Sequence, residues 1–293
     1  MVGFAFPGQG TVRVGMGGWL RRDPEAAAVL AREPLAELCA RGPLERLVAT
    51  DVAQPVVTAV NLAALAVLAA RGVVPEVVAG HSVGEVSALC AAGVLDVDAA
   101  LRLVGERSRL MASVPGTGGM SAVMGLPVER VEELVTAVST PDEPLVVGLE
   151  NAPDHIVVSG AFPAIERLTA LATDARKVVA LKVGNAFHSP LMAPALDAWA
   201  AVVRATPMAP PRVPVVPNTT AEPTTDPDVL REALIEQLTG RVRWAATMAR
   251  MSDVDTWVEV GDSKVLAGLM RSAGLRCASM ADPATARRLE PVG

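Results

Sequence analysis

A serine flanked by small residues, in the segment Gly80-His81-Ser82-Val83-Gly84, is the first feature of the sequence that could carry out chemistry. An apolar run at residues 77–79 precedes it and a helix-like stretch follows, so the serine falls at a predicted turn from strand to helix. A sharp turn of this kind holds the hydroxyl clear of the sheet, and only small flanking residues fit. Ser82 is therefore the candidate nucleophile, although an ordinary glycine-rich turn would give the same pattern.

A serine hydroxyl is a weak nucleophile that needs a base, and the chain has three histidines. His81 adjoins the serine on the turn itself, so its side chain should point away from the hydroxyl. His155 begins a predicted strand, where a turn or surface role is the default. His188 lies in a loop at a predicted junction between two parts of the chain and is the preferred base. No acid is well placed to orient it, so either a backbone carbonyl or a distant acid such as Asp262 would do so.

The composition indicates a globular protein and excludes several classes of function. The chain has 293 residues, of which 51% are hydrophobic, and this is enough for one large domain or two moderate ones. The net charge of -6 provides no basic field of the kind that nucleic-acid binding requires, so no nucleic-acid partner is expected. Tyrosine is absent, which excludes phenolic acid–base chemistry.

The sequence also bears on where the protein works. Its longest apolar stretch, Val56 to Ala70, is interrupted by Thr58 and Asn61 and is too short to span a bilayer, so it is predicted to be a buried helix. The chain starts with a predicted strand rather than a basic, cleavable leader. Its three cysteines lack the spacing of a metal site or of a disulfide framework. We therefore expect a cytoplasmic protein with no membrane partner and no metal.

The predicted elements divide the chain into two parts. Between residues 116 and 186 their order is β-α-β-β-α-β, which is typical of a ferredoxin-like fold. Residues 1–115 and 187–293 alternate predicted strands and helices and should together form one α/β sheet. The first of these strands ends at Pro7-Gly8-Gln9-Gly10, a loop whose glycines leave backbone N–H groups free to face a ligand. The last dozen residues are predicted to form a tail.

Six segments of the chain stand in the order seen in one protein family. They are Phe6-Pro7-Gly8-Gln9-Gly10, Gly80-His81-Ser82-Val83-Gly84-Glu85, Arg107-Ser108-Arg109-Leu110-Met111, Ala186-Phe187-His188-Ser189-Pro190-Leu191-Met192, Val242-Arg243-Trp244 and Glu259-Val260-Gly261-Asp262-Ser263-Lys264-Val265-Leu266. From Phe4 to about Arg271 the chain resembles the malonyl-CoA:acyl carrier protein transacylases and the acyltransferase domains of polyketide synthases. The resemblance implies an α/β-hydrolase-like core with an inserted ferredoxin-like small subdomain, in agreement with the predicted elements.

The resemblance also implies roles for individual residues. Ser82 would become acylated, and His188 would act as its base, oriented by a main-chain carbonyl. The N–H groups of Val83 and Gln9 would form the oxyanion hole. Arg107, 25 residues after the serine, would hold the free carboxylate of a malonyl group, because a guanidinium fork binds a carboxylate through two parallel hydrogen bonds. The alternative for Arg107 is an ordinary surface ion pair.

Substrate choice is predicted from the loop that carries the base. Asn185-Ala186-Phe187-His188 resembles the His-Ala-Phe-His sequence of malonyl-selective polyketide acyltransferases, in which the phenylalanine crowds an α-methyl group, and Asn185 departs from that sequence. We therefore predict that Phe187 and Asn185 contact the substrate and that malonyl is preferred over methylmalonyl. Thr11-Val12 and residues 261–264 also depart from the family's usual sequences, and the region 18–54 is shorter than usual. These departures should alter either the mouth of the cleft or the surface that meets the carrier protein.

These observations together predict an acyltransferase that uses a coenzyme A thioester as substrate and no bound cofactor. Its expected partners are malonyl-CoA and an acyl carrier protein, and a monomer is the working expectation. Several alternatives stay open at this point. They are a stand-alone polyketide acyltransferase with another acyl group, the malonyl transferase of a malonate decarboxylase, a serine thioesterase or hydrolase on the same turn, and a non-catalytic module that binds carrier proteins.

Overall fold

The computed structural model describes residues 1–282, 284 and 285. The strands of this part of the chain are β1 (Val2–Phe6), β2 (Val77–Gly80), β3 (Gly118–Met124), β4 (Leu145–Ala152), β5 (His155–Ala161), β6 (Lys177–Ala180), β7 (Val215–Val216), β8 (Thr256–Glu259) and β9 (Cys277–Ser279). Its α-helices are α1 (Pro24–Leu30), α2 (Leu38–Arg41), α3 (Leu44–Leu47), α4 (Thr50–Ala70), α5 (Gly84–Ala91), α6 (Val97–Ser113), α7 (Val128–Val138), α8 (Phe162–Leu171), α9 (Leu196–Ala205), α10 (Pro227–Glu236), α11 (Trp244–Arg250) and α12 (Val265–Ser272). The predicted tail lies mostly outside the described residues.

The larger sheet has five strands in the order β7-β2-β1-β8-β9, and its pairings are parallel. β1 lies at the centre because its residues Phe4 to Phe6 are apolar without interruption and can be buried on both faces of the sheet. Phe6 is paired with Gly80, so β1 and β2 end side by side. The loops that follow these two strands, the glycine-rich loop and the serine turn, therefore meet at the carboxyl edge of the sheet.

The smaller sheet has four antiparallel strands in the order β4-β5-β3-β6. With α7 and α8 between them, these strands give the predicted order β-α-β-β-α-β within residues 118–180. They enclose an apolar cluster of their own that includes Val131, Ile156 and Leu168. The fold class is therefore the expected one, a parallel α/β core with a ferredoxin-like small subdomain. The subdomain boundaries at residues 116 and 186 stay a prediction.

Helix α4 passes through the larger core. It is long and apolar enough to cross a membrane by length and composition, but 83% of its most apolar window is buried inside the fold, as in the core helix of a globular protein. The sequence pattern predicts that it starts at Pro55, whereas it begins at Thr50. The backbone bond that Pro55 omits would go to Asp51, at the partly exposed start of the helix, so the proline is accommodated there.

Other elements also differ from what the sequence pattern predicts. One helix is predicted over residues 191–204, but a 3-10 turn covers Pro190–Ala195 and α9 follows, because Pro194 has no N–H to continue an α-helix. A strand is predicted over 213–216, but only Val215 and Val216 pair with β2. The pattern gives no signal for β9, which has three residues and joins the sheet as an edge strand beside β8.

Candidate active site

Ser82 stands on a sharp turn between β2 and α5. Its backbone φ is +54°, in the left-handed region that residues other than glycine seldom adopt. The flanking glycines are required by space, since a Cβ on Gly84 would lie 2.1 Å from the carbonyl oxygen of Phe6, and one on Gly80 would lie 2.1 Å from the Gly84 backbone. The turn therefore has the strained geometry of the nucleophile elbow that the sequence predicts, and the role of Ser82 as nucleophile stays a prediction.

A side chain from a distant part of the chain holds this elbow in place. Asn218 Oδ1 accepts a hydrogen bond from the Ser82 N–H at 2.7 Å, and Asn218 Nδ2 donates to the Gly80 carbonyl at 2.5 Å. The Asn218 N–H itself donates to the buried carboxyl of Glu85 at 2.8 Å. Sequence reasoning missed Asn218. Its position just beyond a strand of the parallel sheet could have indicated it, because ligand-binding residues cluster at the carboxyl ends of such strands.

His188 is the histidine that the geometry places beside the candidate nucleophile. Its Nε2 lies 2.8 Å from Ser82 Oγ, and its Nδ1 lies 2.9 Å from the main-chain carbonyl oxygen of Gln237. A carbonyl oxygen only accepts, so we assign the proton to Nδ1, which leaves Nε2 free to accept from the serine hydroxyl. Burial, aided by the positive charge of Arg107, lowers the pKa of His188 to about 3, so the imidazole is neutral at neutral pH.

The main-chain carbonyl of Gln237 therefore orients the candidate base. This is the first of the two alternatives that the sequence leaves open, a backbone carbonyl or a distant acid. Gln237 directly follows α10, and its carbonyl is one of those that a helix leaves unpaired at its C-terminus. The second alternative, orientation by Asp262, is wrong. Asp262 Oδ1 accepts from Arg13 and Oδ2 accepts from the Gly17 N–H, each at 2.7 Å, so both oxygens bind the segment that follows the glycine-rich loop.

The variant Asp262→Asn tests this assignment. We expect the rate of Ser82 acylation to stay within about twofold of wild type, because the carboxylate does not contact His188. The free energy of unfolding should fall by about 1.5–3 kcal/mol, since the buried hydrogen bond from the Gly17 N–H and the half-exposed one from Arg13 lose their charged acceptor. Acylation kinetics and thermal unfolding measure the two effects. Removing the acid from a catalytic triad typically lowers the rate by about 10,000-fold, and a loss of that size or larger would contradict the assignment.

The N–H groups of Gln9 and Val83 make no hydrogen bond within the described part of the chain. Gln9 lies in the loop after β1, and Val83 directly follows the nucleophile. The two loops are in close contact, since a Cβ on Gly8 would lie 2.8 Å from the His81 carbonyl oxygen. Gln9 and Ser82 line the same cavity. The two amides are thus available as donors to an oxyanion, and that role stays a prediction.

Arg107 is buried, with 1% of its surface exposed, so the alternative of a surface ion pair is wrong. Its guanidinium donates to Gln54 Oε1 at 2.7 Å and to Gln237 Oε1 at 2.9 Å, while Nε has no partner among the described residues. Burial lowers the pKa of Arg107 to about 10, against the opposing effect of Glu85, so the side chain is still a cation at neutral pH. A carboxylate can replace neutral amides as the partner of such a guanidinium.

A cavity of about 750 Å³ lies over the nucleophile, which is within the usual range for small-molecule sites. The candidate nucleophile and base line it together with Gln9 and Phe187, whereas Arg107 and Asn185 lie outside the lining. A carboxylate would therefore reach Arg107 by displacing one of its amide partners. Among residues 1–282, 284 and 285, no group of three or more His, Cys, Asp and Glu side chains could hold a metal ion.

The other two histidines have different partners. His81 Nε2 lies 2.7 Å from Asn151 Oδ1, and its ring packs edge-on against Trp244 with 5.6 Å between ring centroids. It therefore points away from the serine hydroxyl, as predicted. His155 lines the cavity from the start of β5, which differs from the surface role that its sequence position indicates.

The two residues predicted to contact substrate occupy different positions. Phe187 lines the cavity, and its carbonyl accepts a hydrogen bond from Ser159 Oγ at 2.5 Å. Asn185 Nδ2 donates to the carbonyls of Met111 and Val114, at 3.2 and 2.9 Å, and so ties the base loop to the end of α6. Phe187 is placed to contact an acyl group, and Asn185 is placed to hold the loop. Their roles in substrate binding stay predictions.

The segment after α10, residues 237–242, joins the base to the small subdomain. It starts with Gln237, whose carbonyl orients His188, and ends with Val242, which exchanges backbone hydrogen bonds with β4. Between them, Arg241 forms ion pairs with Glu150 at 2.5 Å and Glu132 at 2.7 Å. One short segment thus positions the imidazole and fastens the smaller sheet to the larger one.

Comparison with known sequences agrees with this geometry. The sequence model of the acyl transferase domain family matches residues 3–273 of the chain. The chain belongs to this family. It is 34% identical to the malonyl CoA-acyl carrier protein transacylase of Bacillus subtilis over 97% of its own length and 94% of that protein.

Solved structures of similar proteins match this acyl transferase domain over its whole length. An acyl-carrier-protein-S-malonyltransferase from Bartonella henselae has a TM-score of 0.93 and 33% identity, and the match covers 98% of this chain and 97% of that one. A malonyl-transacylase in complex with a type II PKS acyl-carrier protein also has a TM-score of 0.93, with 32% identity and coverage of 98% and 97%.

Proposed function

We propose that this acyl transferase moves a malonyl group from coenzyme A to the phosphopantetheine thiol of an acyl carrier protein, through an acyl-serine intermediate. One observation carries the choice of acyl group. Among the described residues, Arg107 is the one Arg or Lys side chain that is buried. Its guanidinium donates hydrogen bonds to the neutral amides of Gln54 and Gln237. A buried guanidinium whose direct hydrogen-bond partners are neutral amides can exchange one of them for a substrate carboxylate and bind it through charge-assisted hydrogen bonds. The names of the relatives agree with this substrate and this acceptor.

The first half-reaction acylates the serine. His188 Nε2 takes the proton from Ser82 Oγ, 2.8 Å away, while Oγ attacks the thioester carbonyl carbon. The N–H groups of Gln9 and Val83 stabilise the oxyanion, and each such donor contributes about 3–4 kcal/mol in comparable sites. The tetrahedral intermediate then collapses with loss of coenzyme A as the leaving group, and His188 returns the proton to its sulfur.

The second half-reaction runs the same steps in reverse with a new thiol. His188 Nε2 takes the proton of the phosphopantetheine thiol, the sulfur attacks the malonyl-serine ester, and Ser82 Oγ leaves and regains the proton. The main-chain carbonyl of Gln237 keeps the Nδ1 proton in place in both directions. No bound cofactor is needed, because every step is acid–base or nucleophilic chemistry.

A chase experiment tests this function against hydrolysis. The protein is loaded with malonyl-CoA, freed of coenzyme A and mixed with holo acyl carrier protein, with apo carrier protein, or with buffer alone. We expect intact-mass spectrometry to show the malonyl group on holo carrier protein, and a stable adduct in the other two mixtures. Rapid loss of the adduct in buffer alone would identify a thioesterase instead, and no adduct on the loaded protein would refute malonyl transfer.

We further propose that Phe187 excludes an α-methyl group. The variant Phe187→Ala should accept methylmalonyl-CoA, so that the malonyl preference falls about tenfold or more, as expected for 1–3 kcal/mol of pocket discrimination. The ratio of kcat/KM for the two thioesters measures it. Phe162→Ala is the matched control, because Phe162 is 51% exposed and does not line the cavity. Equal use of both thioesters by the wild-type protein would contradict the role of Phe187.

We propose that the protein acts as a monomer in the cytoplasm. Its three cysteines are unpaired, and burial raises the pKa of the Cys39 thiol to about 11 and those of Cys90 and Cys277 to about 12. Thiols of raised pKa stay protonated and unreactive, and unpaired cysteines are typical of a reducing compartment such as the cytoplasm. Size-exclusion chromatography with light scattering tests the oligomeric state.

A further inference from the structure

Glu85 is a buried acid that takes no part in the steps above. It lies in the first turn of α5, directly behind the elbow, and none of its surface is exposed. Its Oε2 accepts two hydrogen bonds, from the Asn218 N–H at 2.8 Å and from Gln237 Nε2 at 2.9 Å. Its Oε1 has no partner among the described residues. One oxygen is thus fully bonded, while the other is free to carry a proton.

A single side chain connects this carboxyl to Arg107. Gln237 donates from Nε2 to Glu85 and accepts at Oε1 from the Arg107 guanidinium at 2.9 Å. The side chain of Gln237 therefore lies between a buried anion and a buried cation, and the two charges act on each other's pKa values.

The other charged groups around α5 do not compete with this pair. β1 and β2, which flank α5, have no titratable side chain, and the acid of α4, Asp51, pairs with Arg46 at an exposed position. On α6, Asp98, Arg102 and Arg109 are exposed. Asp98 pairs with Arg32, and Glu106 pairs with Arg109. Burial lowers the pKa values of His81 and His188, so both rings are neutral at neutral pH. The charges that remain are those of Glu85 and Arg107.

The arrival of a substrate carboxylate changes the charge balance. In the empty site one anion, Glu85, faces one cation, Arg107. A malonyl carboxylate at Arg107 would place two anions beside one buried cation, and an unpaired charge is costly in such a place. Burial already raises the pKa of Glu85 to about 7, so protonation of this carboxyl is the least costly way to restore neutrality.

We propose that Glu85 is the resident counter-ion of Arg107 and that it takes up one proton from solvent when a carboxylate-bearing acyl group binds to Arg107. This role rests on the proposed malonyl transfer. The proton bonds to Oε1, and Oε2 keeps both of the hydrogen bonds that it accepts. The Gln237 side chain, and with it the carbonyl that orients His188, stays in place in both charge states. Glu85 is thus a positioning residue whose protonation sets the pH range in which acyl groups with a carboxylate are accepted.

The linkage predicts a pH dependence that depends on the acyl group. Glu85 is ionised in the empty site above about pH 7, so malonyl binding must then draw a proton from solvent. The ratio of kcat/KM for malonyl-CoA to that for acetyl-CoA should fall about tenfold for each pH unit above about 7, and should be flat below that pH. Both thioesters have the same coenzyme A phosphates, so the ratio cancels their titration.

The variant Glu85→Gln removes the titratable carboxyl group and keeps the shape of the side chain. An amide oxygen in place of Oε2 still accepts from Asn218 and Gln237, and the amide nitrogen takes the place of the unpaired Oε1. In this variant the ratio of kcat/KM for malonyl-CoA to that for acetyl-CoA should be independent of pH. The matched control is Glu106→Gln, which removes a half-exposed acid from the neighbouring helix and should leave the wild-type slope unchanged.

A binding measurement on Ser82→Ala tests the proton uptake directly. Calorimetry at about pH 8, in buffers of different ionisation enthalpy, counts the protons taken up with malonyl-CoA and with acetyl-CoA. We expect malonyl-CoA to take up nearly one proton more than acetyl-CoA does. Equal proton counts, or a flat ratio for the wild-type protein, would overturn the role of Glu85 even where the malonyl adduct forms. Absence of that adduct on the wild-type protein would instead overturn the proposed transfer.

Discussion

Replacement of Ser82 by alanine is expected to abolish the malonyl adduct and to lower the transfer rate by about 10,000-fold or more. In the proposed mechanism the hydroxyl oxygen becomes acylated, and removal of a catalytic serine in a comparable site costs roughly a million-fold in kcat. Incubation with malonyl-CoA followed by intact-mass spectrometry shows the adduct, and a carrier-protein assay gives the rate. The turn itself should be unchanged, because it is held through the Ser82 N–H, which alanine also has.

The matched control for this variant is Ser87→Ala. Ser87 lies on α5, the helix that follows the elbow, and is fully buried. Its hydroxyl lies 3.4 Å from Asn61 Nδ2, and it does not line the cavity. It should become acylated as the wild type does. An adduct that persists on Ser82→Ala would show that another group is the nucleophile and would remove the basis for the proposed mechanism.

Replacement of Arg107 by alanine is expected to lower kcat/KM for malonyl-CoA by about 30- to 1,000-fold. These factors correspond to the 2–4 kcal/mol that loss of one partner of a buried charge pair typically costs. Use of acetyl-CoA should fall much less or should rise, since an uncharged acyl group gains nothing from the guanidinium. Acylation kinetics with the two thioesters separate loss of recognition from general damage, which would lower both rates.

Two further variants sharpen that result. Arg107→Lys keeps a cation but not the planar fork that bonds Gln54 and Gln237 at once, so it should recover only part of the malonyl activity. Arg109→Ala removes an exposed arginine of the same helix that pairs with Glu106, and it should behave as wild type. Unchanged acyl selectivity in Arg107→Ala would exclude Arg107 from substrate recognition.

The pairing of the candidate nucleophile with the candidate base could be predicted from the sequence because their signals are local. Ser82 lies between two glycines that the sharp turn requires, and His188 lies in a short motif at the place where the chain leaves the small subdomain. The order of helices and strands along that subdomain was also predictable, since the apolar periodicity and the short turns mark each element. Local patterns of this kind need no knowledge of which distant segments meet.

The groups that support the site could not be predicted in that way. Asn218 and Gln237 are more than one hundred residues from Ser82 in sequence, and Gln237 orients the base through a main-chain carbonyl that any residue type would supply. Asp262 attracted attention as an acid, but its partners are Arg13 and Gly17, which only the folded chain brings near it. Such contacts depend on how the sheets come together and leave no signal in composition or spacing.

The segment that runs from Gln237 to Val242 makes catalytic alignment a property of the subdomain junction. The smaller sheet has an apolar core of its own on one face, and residues of β3, β4 and β5 on its other face join the core of the larger sheet. The imidazole, however, is aligned by a carbonyl a few residues away from the ion pairs of Arg241 and the backbone bonds of Val242. Activity should therefore be lost on heating or in denaturant before the secondary structure is, because a slight loosening between the two cores misaligns the base.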